Sequence, residues 1–589
     1  DPITAKLMSA AGGAAADPIY VDDVFSTFLY DGTSSTQTIN NGIDLSGEGG
    51  MVWLRGLTNG TDGNIYDTER GVKKYIKSNL ASPETTITTA AGLTAFNSNG
   101  FTLGNNYNTE NFNSYDYASW SFRKCPKFFD VVTYTGNNTA GRQIAHNLGS
   151  VPGSIWIKRT DGTDSWVFYH RSLGNNKYMF LNTDGAALTD NNINWNGTSP
   201  TSTHFTVGDG NGYANGNNLT YVAYIFAHDE QEFGESSDEA IIKCGSYTGN
   251  SATTGNAVNL GFEPQWLLIK NSSSSGYAWL LMDTMRGMLY DGNEPVLYVN
   301  NDQEEDFWNV LELTSTGFNI LTPGSAANNT GDTYIYIAIR SPHKPPSAAT
   351  DVFAIDSKSA GSANTPQYTS NFPVDILLRR FNTHATGSPV FRTRYADEYV
   401  PTTDPDAPIA DSSNNAKFRS NKGIGNLTSS DSNDYKYMFK RAPSFADVVY
   451  YDGTGSNRTV SHNLAATPEL MIVKRRDASG AWRVYSSGTG AGKYLRIDSN
   501  AAEATTSTRW NNTAPTSTVF TVGTASDVNS SSGSYVAFLF ASLPGISKIG
   551  TYSGAGGSTD VDVDCGFTNG ARFVIIKKIN QVGDWNVFD

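Results

Sequence analysis

Asp130-Val-Val-Thr-Tyr-Thr-Gly136, His146-Asn-Leu148, Ser154-Ile-Trp-Ile-Lys-Arg159, Trp166-Val-Phe-Tyr169 and Lys177-Tyr-Met-Phe-Leu181 follow one another after Phe129. Trp195, Pro200-Thr-Ser-Thr203, Phe205-Thr-Val-Gly208 and Tyr221-Val-Ala-Tyr-Ile-Phe-Ala227 complete the series. The series returns as Asp447-Val-Val-Tyr-Tyr-Asp-Gly453, His462-Asn-Leu464, Leu470-Met-Ile-Val-Lys-Arg475, Trp482-Arg-Val-Tyr485 and Lys493-Tyr-Leu-Arg-Ile497. Trp510, Pro515-Thr-Ser-Thr518, Phe520-Thr-Val-Gly523 and Tyr535-Val-Ala-Phe-Leu-Phe-Ala541 close the second copy. Val131 to Val448 is a shift of 317 residues, and Pro200 to Pro515 one of 315. Ordered matches over about a hundred residues identify a duplicated module. Its strand-like segments are short and separated by turn residues, which predicts an antiparallel sandwich. Ser154-Ile-Trp-Ile-Lys158 is apolar almost throughout, the pattern of a strand buried on both faces.

The flanking units carry the same kind of text. Asp67-Thr-Glu-Arg-Gly71 is echoed by Asp283-Thr-Met-Arg-Gly287, and Asn97-Ser-Asn-Gly-Phe101 by Thr314-Ser-Thr-Gly-Phe318. Cys565-Gly-Phe567 and Phe573-Val-Ile-Ile-Lys577 correspond to Leu260-Gly-Phe262 and Trp266-Leu-Leu-Ile-Lys270. The reading is an all-β chain: a tandem array of antiparallel β-sandwich domains, jelly-roll or lectin-like, forming two copies of a three-domain block. The expected divisions are an N-terminal arm at 1–21 and sandwiches at 22–124, 125–229 and 238–341. A Pro-rich linker at 342–350 follows, acting as the hinge between blocks. Then come a divergent sandwich at 351–442, the repeat of the second at 443–543, and an incomplete sixth at 546–589, which suggests a longer parent chain. No segment shows capped helical periodicity over three turns.

Composition bounds the function. A net charge of −15 with 17% charged residues argues against a nucleic-acid groove, which needs clustered Lys and Arg. No run approaches eighteen apolar residues, so no membrane insertion is expected. Cys125, Cys244 and Cys565 are too few and too scattered for a disulfide framework or a zinc site. No metal and no cofactor is expected.

The candidate sites compete with plainer roles. His146 and His462 occupy equivalent places, but no nucleophile or carboxylate accompanies them at a matching offset in both copies. They read as turn ties. Asp161/Asp164 and Asp184/Asp190 have the residue types for glycosidase or calcium chemistry, yet are not matched as pairs in the duplicate and read as turn residues. Asp302, Glu304, Glu305 and Asp306 read as a charged loop. Trp195 and Trp510 sit beside Asn/Gly turns, where Trp stacks on sugars; plugs closing the sandwich are the competing role. Ser9-Ala-Ala-Gly-Gly13 is too small to build a core, and Tyr20, Val21, Val24 and Phe25 behind it are candidates for docking onto a partner.

The openings Val131-Val-Thr-Tyr-Thr-Gly136 and Val448-Val-Tyr-Tyr-Asp-Gly453, the Ala145-His-Asn-Leu-Gly149 and Ser461-His-Asn-Leu464 turns, Ala514-Pro-Thr-Ser-Thr-Val-Phe520, and the junction Phe122-Arg-Lys-Cys-Pro-Lys-Phe-Phe129 carry a resemblance. The chain resembles the repeated β-rich virion proteins of tailed phages, particularly those of marine bacteria. The resemblance implies a non-enzymatic structural protein, a tail fibre projecting as a string of domains and contributing to host attachment. A neck- or capsid-attached fibre or decoration protein without a receptor role is one alternative, and a polysaccharide-degrading tailspike another. The expected partners are other copies of the chain (a homotrimer favoured), tail or neck proteins held by the N-terminal arm, and a host surface glycan.

Overall fold

The computed structural model describes residues 17–105, 109–209, 212–290, 292–357, 366–381, 390–401, 410–411, 418–425, 434–557 and 560–589. Helix is confined there to Val21–Val24, Ser526–Asn529 and a 3₁₀ turn at Ala349–Asp351; the rest of the regular structure is strand. The chain divides into two compact units, Asp1–His343 and Lys344–Asp589.

The first repeat sets the pattern. Its strands are β1 (Phe25–Asp31), β2 (Gln37–Asn40), β3 (Gly50–Gly56), β4 (Asn64–Asp67), β5 (Lys74–Lys77), β6 (Thr85–Thr86), β7 (Leu93–Asn97), β8 (Gly100–Leu103) and β9 (Asp116–Arg123). They form a six-stranded sheet in the order β1-β9-β3-β4-β5-β6 and a small sheet, β2-β8-β7. The pairings are antiparallel. The second repeat follows the same path from Phe129–Thr135 to Thr220–Phe226, and the third from Ile242–Thr248 to Thr333–Arg340. In the second unit the strands from Phe353–Ser357 to Asp434–Phe439 have the same order, so the divergent fourth repeat keeps the topology. The fifth runs from Ala446–Asp452 to Ser534–Phe540, and the sixth contributes the hairpin Val574–Lys577 and Trp585–Phe588.

Alternation along β3 explains the packing. Val52 and Leu54 join Ile39, Leu93, Phe101 and Leu103 of the small sheet in the repeat's own core. Met51 and Trp53 point the other way, into a core shared by all three repeats of the first unit. Trp53 meets Trp156 of the second repeat, with centroids 6.0 Å apart. Phe122 meets Trp266 of the third at 6.0 Å, and Phe168 of the second meets Trp279 of the third at 4.6 Å. The large sheet is therefore apolar on both faces, and the near-continuous apolar run of Ser154–Arg159 has the same cause. The three repeats are not strung out as separate sandwiches, as the sequence suggested; each packs against the other two.

The first, second, third and fifth sandwiches are each pinned by a recurrent pair of stacked tyrosines. Tyr30/Tyr117, Tyr134/Tyr221, Tyr247/Tyr334 and Tyr451/Tyr535 lie 5.0–5.3 Å apart with interplanar angles of 12–17°. The first hydroxyl of each pair donates to a loop carbonyl, of Glu110, Ala214, Ala327 or Val528. The next residue is in each case a buried Asn, at 111, 215, 328 or 529, whose amide donates to loop carbonyls. These buried side-chain bonds fix long loops that have no ladder of their own.

One position of the repeat links the three sandwiches in a cycle. Asp67 ends β4 in the first repeat; His170 and Asp283 are its equivalents. Asp67 accepts from the Tyr224 hydroxyl of the second repeat at 2.6 Å. His170 Nε2 donates to the Tyr336 carbonyl of the third at 3.1 Å. Asp283 accepts from Trp120 Nε1 of the first at 3.1 Å, closing the cycle. The two carboxylates are buried, and each has an Arg three residues on: Arg70 Nε lies 2.6 Å from Asp67, and Arg286 Nε 2.6 Å from Asp283. Neutral His170 needs no counter-charge, and Leu173 stands where the Arg would be. The second unit repeats the device: Asp589, equivalent to Asp283, accepts from Tyr437, equivalent to Trp120, at 3.1 Å.

A buried charge stripped of its partner is expensive. Arg286→Leu is expected to destabilise the protein by about 3–5 kcal/mol. Asp283→Asn combined with Arg286→Leu is expected to recover much of that loss, as measured by denaturant unfolding. Additive losses in the double variant would show that the pair is not the unit of stabilisation.

Candidate functional site

The seams between repeats hold most of the buried ionic chemistry of the first unit. Besides the cycle above, each seam receives one cation from the large sheet. Lys158 Nζ donates to the Ala81 carbonyl at 3.1 Å, and Lys270 Nζ to the Asp184 carbonyl at 3.3 Å. Arg55, their equivalent in the first repeat, donates to the carbonyls of Asn301 and Gln303 at 2.7 and 2.8 Å. Burial pushes both Lys ammonium groups down to about 8 and the Arg55 guanidinium down to about 10. Burial likewise pushes the His170 imidazole down to about 4.

Two seams are also plugged by Trp. Trp166 Nε1 donates to the Lys77 carbonyl at 2.9 Å, and Trp279 Nε1 to the Phe180 carbonyl at 3.2 Å. In the second unit Trp585 does the same to Arg496 at 2.8 Å. The first repeat has Gly63 at this position. A Cβ there would lie 2.4 Å from Ser78 Oγ and 2.7 Å from Trp53 Nε1, so a side chain would have to displace one or both. The seam between the first and third repeats therefore has no Trp plug. A groove of about 660 Å³ opens there, lined by residues that include Gly60, Ala278, Tyr298, Asp302, Gln303 and Asp306.

The first repeat departs from the pattern once more. Where the others have Ala214, Ala327 and Val528, it has Glu110, fully buried. Glu110 Oε1 accepts from Tyr66 at 2.5 Å and from Asn64 at 2.7 Å, while Oε2 has no partner. Burial pushes this carboxyl up to about 7, against the two hydrogen bonds.

The geometry reassigns the residues singled out from sequence. Tyr20, Val21, Val24 and Phe25 are buried and do not form a free docking surface. Phe25 packs on Phe122 and Trp266, and Tyr20 packs edge-on against His343 while donating to Glu235. The reason is that Val21–Val24 and the start of β1 cover the end of the shared core. Ser9–Gly13 lie outside the described residues. Trp195 and Trp510 are 1% and 0% exposed, stand edge-on to Tyr169 and Tyr485, and are core plugs rather than sugar platforms. His146 and His462 each accept through Nδ1 the N–H two residues on, at 3.3 Å, and burial lowers both imidazoles.

Asp161 and Asp164 grip Arg159, and Asp190 accepts from the backbone of Asn194 and Trp195. In the acidic loop Glu305 pairs with Arg286, and Asp306 accepts from Tyr298. The front of the Pro-rich linker is fastened down: the Ser341 N–H donates to the Glu263 carbonyl, and the buried His343 donates its N–H to Asp22.

A family model described as "Domain of unknown function (DUF7483)" matches residues 21–342 and 422–589. The chain belongs to this family. The first matched segment spans all three repeats of the first unit, and the second runs through the fifth and sixth repeats. Searches of curated proteins and of solved structures found no match. In this family member the seam residues were the part that sequence reading missed. The Asp67…Arg70 and Asp283…Arg286 echo was the available signal, but it gave no hint that the partners come from other repeats.

Two measurements check these assignments. Trp195→Ala is expected to cost about 3–5 kcal/mol in denaturant unfolding, the range for a large core deletion, where a surface platform would cost almost nothing. The Glu110 carboxyl has its folded value raised, so its contribution is fully present below about 4.5 and is lost as pH rises through about 7. Glu110→Gln is therefore expected to stabilise the protein by roughly 3 kcal/mol at pH 8 and to change little at pH 4. An equal effect at both pH values would contradict the assignment.

Proposed function

We propose that this chain is a non-enzymatic structural protein of a phage virion, a tail fibre contributing to host attachment. One observation carries the reading. The polar position that recurs in the repeats, occupied by Asp67, His170, Asp283 and Asp589, is taken up in linking repeat to repeat. Groups committed to buried bonds inside a seam hold geometry and are withdrawn from reaction with a substrate. Repetition of one sandwich in a self-closing block suits a rigid projecting part, and the resemblance of the repeat to virion proteins of tailed phages points the same way.

Attachment to the particle through the N-terminal arm belongs to the same proposal, without Tyr20, Val21, Val24 and Phe25, which are committed to the core. Homotrimeric association belongs to the same proposal. Negative-stain imaging of the encoding phage with an antibody to this chain is the test. Gold at the tail tip or fibres supports the reading. Gold at the neck or capsid selects a decoration role. Particles without label, in a lysate that contains the protein, refute a virion role.

A further inference from the structure

The groove at the seam between the first and third repeats is an opening where the first unit's repetition is broken. At the other two seams a Trp indole occupies the position and reaches the carbonyl of Lys77 or Phe180. Tyr298 is the equivalent of those acceptor residues, and here it lines open space. Gly63 keeps the Trp out, and Gly60 faces the Asp302 carbonyl without a side chain. Beneath the floor lies Arg55, 3% exposed, its Nη atoms on the Asn301 and Gln303 carbonyls and its Nε without a partner. Arg55 fixes the loop from below, so the groove's polar wall is pre-formed.

The geometry points to this groove as a carbohydrate-binding site for a neutral or amine-bearing oligosaccharide. The lining supplies what sugars use: the Tyr298 ring as an apolar face, and the Gln303 amide and the carboxylates of Asp302 and Asp306 as hydroxyl partners, with the Asn301 amide already bonded to Gln303. Asp302, Gln303, Glu304 and Asp306 are exposed, and among the described residues Asp302 and Glu304 form no ion pair, so the acidic wall disfavours uronic or sialic acids. The site lies far along the chain from Trp195 and Trp510, where sequence reading sought a glycan. It deepens the attachment reading by naming the surface and ligand class, and it rests on that reading only for its biological role.

The test uses the full chain and isothermal titration with three probes: cellotetraose, the chitosan tetramer and trigalacturonic acid. Binding of cellotetraose or the chitosan tetramer is expected, weakened at least tenfold by Asp302→Ala combined with Gln303→Ala. Both positions are exposed, so an unchanged unfolding transition will show that the variant is folded. Gly60→Tyr, which places a ring in the groove, is a second blocking variant. No binding of either sugar, binding untouched by both variants, or preference for trigalacturonic acid overturns the proposal. Binding that the variants abolish, with phage adsorption unaffected by the same sugar as competitor, keeps the groove and removes the attachment role.

Discussion

A sheet with two apolar faces cannot be left with one of them in water. The small sheet of each repeat covers one face of the large sheet, and only other repeats are available for the second. Burying such a face is worth about 25 cal/mol for every Å² removed from water, so it dominates the choice among arrangements. Three repeats turned face to face satisfy each other, and Trp53, Phe122, Phe168, Trp266 and Trp279 are where they meet. The single sandwich is thus an incomplete unit, and the three-repeat block is the complete one.

Apolar packing by itself is permissive about register, and the polar groups supply what it lacks. Asp67, His170 and Asp283 each find one partner on a neighbouring repeat, at the same height on the same strand. A misplaced sandwich would leave two carboxylates and an imidazole buried without those partners, at a cost of several kcal/mol each. The differences among the three are instructive. Where the group is charged an Arg follows it, and where it is neutral a Leu does. Where the neighbour offers Ile337 instead of a polar side chain, His170 takes the backbone carbonyl beside it.

Two departures from repetition fall in the first repeat. Gly63 and Glu110 stand where other repeats have Trp and small apolar residues, and neither change improves packing. A missing plug opens a groove, and a buried carboxyl with one oxygen unpaired is a destabilising feature near neutral pH. Gly63 belongs to the seam where the groove opens, whereas Glu110 lies inside the first repeat on Asn64 and Tyr66.

The sequence by itself determined the class and the periodicity. Short apolar segments cut by Asn and Gly turns can form only strands, and a shift of 317 residues between equivalent positions marks a duplication whatever the fold. It also showed that Ser154–Lys158 is buried on both faces, because the apolar run is a local property of the side chains. Only the tertiary structure decided what covers the second face. It also decided that Tyr20, Val21, Val24, Phe25, Trp195 and Trp510 are interior. Burial of an aromatic or a Val depends on which distant segment lies over it, and one-dimensional text does not contain that. The seam chemistry was hidden for the same reason. Asp67 and Tyr224 are 157 residues apart, and Trp120 and Asp283 are 163 apart. Pairs so remote become partners only after three sandwiches have closed on one core.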